Sequence, residues 1–240
     1  MTLLQKMLEM KYEEKVANSL IKIGNVFVND QKIVMPQTKI KETDIINVKE
    51  KNKYVSRGAY KLLAALEEFN VNPKDLVCLD IGSSTGGFTQ VLLEKGAKFV
   101  YAVDVGTNQL DYKLRIDKRV KTLEKTNLKL INEKMFDQKI DLVVCDVSFI
   151  SIKKVFDVIS DILQPGSFFI GLIKPQYEVN SDEVSKGGIA KIELHKSIID
   201  KIIKYGETHF DFIKLINSPI LGHKSKNIEY LSMFKRTKNE

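Results

Sequence analysis

The chain has 240 residues, enough for one ordinary domain and a small second one, and its 43% hydrophobic content excludes a disordered chain. Its 38 basic and 31 acidic side chains give a net charge of +7, which permits a polyanionic partner without proving one. Cys78 and Cys145 lie in apolar runs typical of buried strands, and no Cys/His cluster predicts a metal site or a disulfide frame.

The N-terminal segment MTLLQKMLEMKYEEK differs from a signal peptide, because it carries acidic residues and has neither a long apolar region nor a small-residue cleavage site. No apolar run approaches the roughly 18 to 20 residues that span a bilayer. The longest run, FFIGLI at 168–173, has the length of a buried strand. We therefore expect a soluble, cytoplasmic protein without stable membrane insertion.

Residues 1–48 predict a small α+β domain. Apolar side chains recur at helical spacing in two successive groups: Leu3, Leu4, Met7 and Leu8, then Val16, Ala17, Leu20 and Ile21. Beyond Gly24, which is typical of a helix C-terminus, the apolar period changes to two and predicts a hairpin and a further short strand. The charged run KEKNK predicts a linker at 49–53.

From residue 54 to residue 240 apolar strands alternate with helices. Strands are predicted at 76–81, 99–104, near 120, 141–147, 168–174, 211–217 and 228–235. Helices are predicted at about 57–69, 86–95, 107–115 and 151–162, and from the end of a polar loop at 175–188 to about 205. Near-continuous apolar strands that alternate with helices indicate an α/β fold with a mostly parallel sheet of about seven strands, covered on both faces.

The glycine-rich segment DIGSSTGGFT, residues 80–89, joins a predicted strand to a helix, where open α/β sheets bind ligands. A P-loop is excluded because Phe88 stands where the phosphate-binding lysine is needed, and Ser84 interrupts the GxGxxG pattern of a dinucleotide fold. S-adenosylmethionine has no pyrophosphate, so its loop needs only close backbone approach and an acid at the strand end. The residues that suit it are Asp80, Gly82, Thr85, Gly86 and Gly87.

A tight structural turn is the alternative interpretation, with glycines that only let the helix pack on the sheet. The next strand decides between the two, because it ends in Asp104, 24 residues after Asp80. An acid at that place can accept hydrogen bonds from both ribose hydroxyls of an adenosine ligand. The pair of carboxylates therefore favours S-adenosylmethionine.

Several motifs together resemble those of the TlyA family, also called hemolysin A-like proteins. They are YVSRGAYKL, DIGSSTGGFT, YAVDVGTNQLDYKLR, LVVCDVSFIS, LIKPQYE, KGG and SPILGHKSKNIEYL, in the family's order along the whole chain. The resemblance implies a class I methyltransferase of the FtsJ/RrmJ type that moves a methyl group from S-adenosylmethionine to a ribose 2′-hydroxyl of ribosomal RNA. Residues 1–48 resemble the small RNA-binding domain of ribosomal protein S-four.

The same resemblance implies the site residues and the partners, which are ribosomal RNA or ribosomal subunits, with no metal. The catalytic set falls on Lys61, Asp146, Lys174 and Glu229. Cofactor binding falls on Asp80, Gly82, Ser84, Thr85, Gly86, Gly87, Phe88, Asp104, Val105, Asn127 and Asp146. RNA binding falls on Lys11, Lys15, Lys22 and Arg57, whose charges neutralise phosphate.

The four residues of the implied catalytic set are of the types that methyl transfer to a ribose hydroxyl needs. A ribose hydroxyl is a poor nucleophile, so it must be aligned with the methyl donor and must lose its proton during attack. We expect Lys174 to be the base, with a pKa lowered by partial desolvation and by the second lysine, although the carboxylates act in the opposite direction. Lys61 and Asp146 would orient the ribose, and Glu229 would hold the lysines.

Two other functions remain open at this point. A membrane-damaging cytolysin, the activity behind the family's older name, would need a spanning segment, an amphipathic barrel hairpin or an export signal, and the sequence shows none. A non-catalytic ribosome assembly factor would keep the fold and lose the catalytic residues. The intact lysine and aspartate set favours the enzyme.

Overall fold

The computed structural model describes residues 1–49, 53–180, 183–185, 187–222 and 227–237. The chain divides into two compact units, Met1–Lys53 and Tyr54–Glu240. Most of the predicted linker, residues 50–52, lies outside the described residues, as do Lys186 of the KGG motif and residues 223–226 of the last motif.

The first unit contains two helices and a three-stranded antiparallel sheet. They are α1 (Leu3–Glu9), α2 (Glu14–Lys22), β1 (Val26–Val28), β2 (Gln31–Ile33) and β3 (Ile46–Val48), with strand order β2-β1-β3. The apolar positions that predicted the helices supply its core, because Leu3, Met7, Ala17 and Ile21 are fully buried. These elements confirm the prediction of a small α+β unit, and its likeness to the S-four domain stays a prediction.

The second unit is a seven-stranded sheet with helices. In chain order its elements are α3 (Gly58–Glu68), β4 (Val77–Ile81), α4 (Gly87–Glu94), β5 (Phe99–Val103), α5 (Tyr112–Arg115), β6 (Val120–Leu123), β7 (Leu142–Cys145), α6 (Lys153–Ser160), β8 (Phe168–Ile173), α7 (His195–Gly206), β9 (Phe210–Asn217) and β10 (Tyr230–Arg236). The strand order is β6-β5-β4-β7-β8-β10-β9. The predicted α/β class and the seven strands are confirmed.

The direction of the strands brings distant parts of the chain to one edge. The strands β4 to β8 pair in parallel, whereas β10 is antiparallel to both β8 and β9. Tyr230, the first residue of β10, pairs with Ile173, the last residue of β8. The carboxyl ends of β4, β5, β7 and β8 therefore lie at the same edge of the sheet as the beginning of β10.

Apolar side chains cover both faces of the sheet, as predicted for a doubly covered sheet. On one face the alternate strand residues pack with α3 and α4, and on the other with α6 and α7. Cys78 belongs to the first of these clusters and Cys145 to the second, and both are free thiols in the interior. Burial raises the pKa of both thiols, so they have the character of core residues.

One predicted helix is much shorter than expected. Residues 107–115 give only the single turn α5, because the Asp111 side chain accepts a hydrogen bond from Lys113 N and starts the helix there. Asn108 lies in the left-handed region (φ +56), which a continuous helix does not allow. The last predicted helix likewise begins late, at His195, after a 3-10 turn at Ile192–Leu194.

Two features are absent from the part of the chain that the structure describes. No helix there has both the length and the apolar character needed to cross a bilayer. No group of three or more His, Cys, Asp and Glu side chains there has an arrangement that could hold a metal ion.

Candidate active site

Four charged side chains meet at the edge where β7 and β8 end. Asp146 follows β7, Lys174 follows β8, Glu229 precedes β10, and Lys61 comes from α3. Lys61 Nζ lies 2.7 Å from Glu229 Oε2 and 3.2 Å from Asp146 Oδ2. Lys174 Nζ lies 2.5 Å from Asp146 Oδ1. The structure thus brings together all four residues of the predicted catalytic set, in the order Glu229–Lys61–Asp146–Lys174, with one oxygen of Asp146 for each lysine.

The cluster is unusually well buried for its charge. The exposed fractions are 7% for Lys61, 6% for Lys174 and 4% for Glu229. Buried lysines are rare unless they are paired, and here two ammonium groups and two carboxylates balance each other. The Asp146 side chain keeps 20% of its surface exposed, so it is the member most open to the edge.

The charges decide which protonation states the cluster favours. Burial raises the pKa of Asp146, but the opposing charges of Lys174 and Lys61 outweigh it, and the pKa lies below its usual range. Burial lowers the pKa of Lys174, but the adjacent Asp146 carboxylate more than compensates, and the pKa is raised. The expected lowering of the Lys174 pKa is therefore wrong for the free protein, because Asp146 is in direct contact with the ammonium group.

Lys174 has further neighbours that the sequence did not indicate. Ser148 Oγ accepts a hydrogen bond from Lys174 Nζ at 3.0 Å, and the Tyr177 ring lies 6.0 Å from the same atom. Phe149 stacks obliquely on Tyr177, with ring centroids 5.2 Å apart. Phe149 is 85% exposed and has a φ of +66°, which is strained for a bulky residue. An aromatic pair, made of the exposed Phe149 and the half-buried Tyr177, therefore lies beside the charged cluster.

The glycines of the 80–89 loop are required by the packing of the chain itself. A Cβ on Gly82 would lie 3.0 Å from the carbonyl oxygen of Asp146, and one on Gly87 would lie 2.1 Å from Ser56 Oγ. These close approaches bring the loop against Asp146 and against the start of α3, which carries Lys61. Packing within the chain is thus sufficient to explain why glycines occupy these positions. The feature that indicates a ligand is the pair of carboxylates, Asp80 and Asp104.

Asp80 is a buried carboxylate without a positive partner among the residues that the structure describes. Its Oδ2 accepts a hydrogen bond from Thr89 Oγ1 at 2.7 Å. Its Oδ1 is buried and has no hydrogen-bond partner among the residues described. Burial raises the pKa of Asp80 to about 7, and the charges of Asp146 and Asp104 add to this. This environment fits a cationic ligand such as S-adenosylmethionine, whose charge would compensate the carboxylate.

The end of β5 carries the other predicted cofactor residues. Asp104 accepts hydrogen bonds from Ser84 N at 2.8 Å and from Gly106 N at 2.7 Å, which ties the two loops together. Each carboxylate oxygen keeps a lone pair for a ribose hydroxyl. Val105 is 67% exposed, and the exposed Asn127 caps a 3-10 turn by accepting a hydrogen bond from Lys129 N.

The remaining predicted residues are divided between surface and core. Ser84 and Thr85 are exposed at the loop, and Gly86 is buried against α5 residues. Phe88 is only 4% exposed and packs in the apolar core with α3. The ring therefore supports the loop from the core side, and cofactor binding at Phe88 stays a prediction that only its backbone could fulfil.

The predicted RNA-binding residues lie in both units. Lys11, Lys15 and Lys22 are exposed in the first unit, and Arg57 is exposed in the second, at the start of α3. Lys15 and Lys22 line a shallow surface groove along α2. Their exposure leaves all four charges available to a polyanion.

The comparisons with known proteins agree with this geometry. The family described as FtsJ-like methyltransferase matches residues 54–236. The chain is 47% identical over 221 residues to Hemolysin A of Brachyspira hyodysenteriae, which covers 91% of this chain and 92% of that protein. It is 37% identical over 218 residues to the 16S/23S rRNA (cytidine-2′-O)-methyltransferase TlyA of Mycobacterium tuberculosis, covering 89% of this chain and 81% of that protein.

Similarity also extends to the three-dimensional structure. A solved structure from Streptococcus thermophilus, described as a hemolysin, superposes with a TM-score of 0.77 at 36% identity. The match covers 95% of this chain and 84% of that one. The fold of the chain is therefore shared with a solved structure over nearly its whole length.

Proposed function

Because the chain belongs to the FtsJ-like methyltransferase family, we propose that it transfers a methyl group from S-adenosylmethionine to a ribose 2′-hydroxyl of ribosomal RNA. The observation that carries this proposal is the buried cluster of Lys61, Asp146, Lys174 and Glu229 beside the 80–89 loop. The substrate follows from the relative in Mycobacterium tuberculosis, which is named for this reaction.

The cofactor half of the site uses the carboxylates of the two neighbouring strands. S-adenosylmethionine supplies the reactive methyl group on a cationic sulfonium when it is bound. Asp80 would compensate the positive charge of its amino-acid part, and Asp104 would accept hydrogen bonds from its ribose. The exposed Val105 and Asn127 would contact the adenine, Val105 by apolar packing and Asn127 by hydrogen bonding.

The charged cluster would align the hydroxyl of the substrate and remove its proton. Asp146, the most open member, accepts a hydrogen bond from the hydroxyl or from a group next to it. Lys174 holds a proton in the free protein, so it becomes a base only when its pKa falls. A cation bound nearby and the exclusion of water both lower the pKa of a lysine. Glu229 keeps Lys61 in place and thereby holds Asp146 between two ammonium groups.

The nucleic acid would be held by charge and by stacking. Lys11, Lys15, Lys22 and Arg57 would neutralise phosphates of the RNA. The exposed ring of Phe149, supported by Tyr177, offers a surface on which an unpaired base can stack. Ribosomal RNA or a ribosomal subunit in the cytoplasm is the partner that this proposal implies.

The test is transfer of labelled methyl groups to isolated ribosomal subunits from a strain that lacks the protein. Wild type, Lys174→Ala and Lys214→Ala run side by side, and nuclease digestion with mass spectrometry identifies the product. Lys214 is a matched control, because its ammonium pairs with Glu68 at the surface.

We expect a 2′-O-methylnucleoside with wild type and with Lys214→Ala, and a rate lower by about 100- to 10,000-fold with Lys174→Ala. Cofactor binding without any label on either subunit overturns ribosomal RNA as the substrate. In that case a different RNA or the lytic activity becomes the leading function.

A further inference from the structure

Glu178 makes contacts that the proposed reaction does not explain. It directly follows the 3-10 turn Pro175–Tyr177 and is half-buried. Its Oε2 accepts a hydrogen bond from Ser151 Oγ at 2.6 Å, and its Oε1 accepts one from the backbone N–H of Ile152 at 2.8 Å. Both carboxylate oxygens are thus used to hold a segment that is 26 to 27 residues away in the chain.

The two segments joined by Glu178 carry the reacting side of the charged cluster. The segment at 146–152 contains Asp146, and the segment at 174–178 contains Lys174. The parallel pairing of β7 with β8 ends at Cys145 and Gly171, so the ladder does not hold the segments together beyond that point. Beyond that point the Glu178 side chain connects the two segments by its hydrogen bonds to Ser151 Oγ and to the backbone N–H of Ile152.

The same contacts also fix the beginning of α6. This helix has no side-chain cap from its own first residues. Glu178 supplies a hydrogen-bond acceptor there from another segment, because its Oε1 accepts from the backbone N–H of Ile152, the residue before the helix. Ser151 Oγ in turn accepts a hydrogen bond from Lys153 N at 3.2 Å, so hydroxyl and carboxylate together order the turn after Ser148.

We propose that Glu178 is a positioning residue for methyl transfer, which holds Asp146 and Ser148 in register with Lys174 by tying the two segments together. This inference rests on the proposed function and adds a residue outside the charged cluster. A displacement of about 1 Å between reacting groups can lower a rate by about 100-fold. Burial also raises the pKa of Glu178, although Lys153 and the two hydrogen bonds oppose it, so the carboxylate is kept in an unfavourable place.

Geometry, and not charge, is what this role requires, and glutamine tests the difference. In Glu178→Gln the amide oxygen can accept from Ile152 N, and the amide nitrogen can donate to Ser151 Oγ. Glu178→Ala loses both contacts. Glu183→Ala is the matched control, because Glu183 also accepts a backbone hydrogen bond, from Asn180 N, but only within its own loop.

The experiment measures kcat and KM for methyl transfer, cofactor affinity, thermal unfolding, and hydrogen exchange of the Ile152 amide. We expect Glu178→Ala to lower kcat by about 10- to 100-fold with cofactor affinity unchanged, and to expose the Ile152 amide to exchange. Glu178→Gln should stay within about threefold of wild type, and Glu183→Ala should equal it. If Glu178→Ala does not fold, Ser151→Ala takes its place, with a smaller loss of kcat.

Three results would overturn the inference. One is a folded Glu178→Ala with the kcat of wild type. Another is a Glu178→Gln as inactive as the alanine variant, which would show that the charge itself is needed. The third is a parallel loss of kcat and cofactor affinity, which would indicate general destabilisation. Inactivity of the wild type towards RNA would instead contradict the proposed function, so the two failures are distinguishable.

Discussion

Asp80 and Asp146 lie near the carboxyl ends of two neighbouring strands and have opposite electrostatic surroundings. The strands β4 and β7 pair in parallel, and each carboxylate lies at the carboxyl end of its strand. Asp80 is buried without a cation, and its pKa is raised to about 7. Asp146 lies between Lys61 and Lys174, and its pKa is lowered. Burial opposes the ionised form at both places, and the neighbouring charges decide the result.

The difference teaches how the two halves of the site are prepared for their ligands. The Asp146 half carries its own cations and is electrically complete in the free protein. The Asp80 half is incomplete, because a buried carboxylate needs a positive group that the described residues do not supply. A cationic cofactor is therefore expected to stabilise the protein as it binds.

The largest expected effect comes from the same change at both places. At pH 8 we expect Asp80→Asn to increase the free energy of unfolding by up to about 4 kcal/mol, and Asp146→Asn to decrease it by about 3 kcal/mol. The first follows because a pKa of about 7, against an ordinary 3.8, makes the folded state lose stability as the pH rises between these values. The second follows because removing Asp146 leaves Lys174 without its closest carboxylate.

Denaturant unfolding at pH 8 and at pH 4 measures both effects. The gain for Asp80→Asn should shrink to about 0.5 kcal/mol at pH 4, where the carboxyl group is protonated in the folded state and still partly ionised in the unfolded state. The loss for Asp146→Asn should be nearly as large at pH 4 as at pH 8, because its stabilising charge is lost only as the pH falls below 3.8 through the lowered pKa. If both variants changed the free energy of unfolding in the same direction at pH 8, the two carboxylates would not have opposite electrostatic surroundings.

A second prediction concerns protons that are released on cofactor binding. At pH 7 about half of the Asp80 carboxyl groups are protonated, and a cationic ligand favours the ionised form. S-adenosylmethionine should therefore release about half a proton per complex. Titration calorimetry in buffers with different ionisation enthalpies measures this number, and Asp80→Asn should release about half a proton fewer than wild type. If the enthalpy of cofactor binding to the wild type were the same in all buffers, proton release from Asp80 on binding would be excluded.

The smallest expected effect comes from Thr89, the only described side chain that donates a hydrogen bond to Asp80. Thr89→Val should raise the pKa of Asp80 further and weaken cofactor binding by about fivefold, the worth of one hydrogen bond. Thr208→Val is the control, because the Thr208 hydroxyl bonds only to the backbone at the end of α7. Equal cofactor affinity of the two variants would argue against a role for Thr89.

The elements of the fold were predictable because their apolar pattern is local. The strand FFIGLI and the helix with Leu3 and Met7 each have a hydrophobic period that only one kind of structure satisfies. The helix expected at 107–115 was predicted too long because its beginning depends on a cap at Asp111 and on the left-handed Asn108. Such local geometry is weakly encoded in the hydrophobic pattern.

The site residues were predictable by motif, whereas their electrostatics were not. Lys174 ends an apolar strand, which marked it as functional, but the direction of its pKa shift depends on the 2.5 Å contact with Asp146. The role of Gly87 was hidden for the same reason, since its neighbour Ser56 lies 31 residues earlier in the chain. When burial and a neighbouring charge shift a pKa in opposite directions by similar amounts, the net direction depends on the distances between the groups. Those distances are known only when the fold is known.

The antiparallel placement of β10 has a consequence for how the protein becomes competent. Lys61 contacts Asp146 across 85 residues and Glu229 across 168 residues. Contacts between such distant residues form only after the intervening chain has been ordered, so they come late in folding. The elements around the Asp80 loop, which are α3, β4, α4, β5 and β7, all precede β10 in the chain. During synthesis, the cofactor half can therefore fold before Glu229 has left the ribosome, and turnover must wait for the last strand.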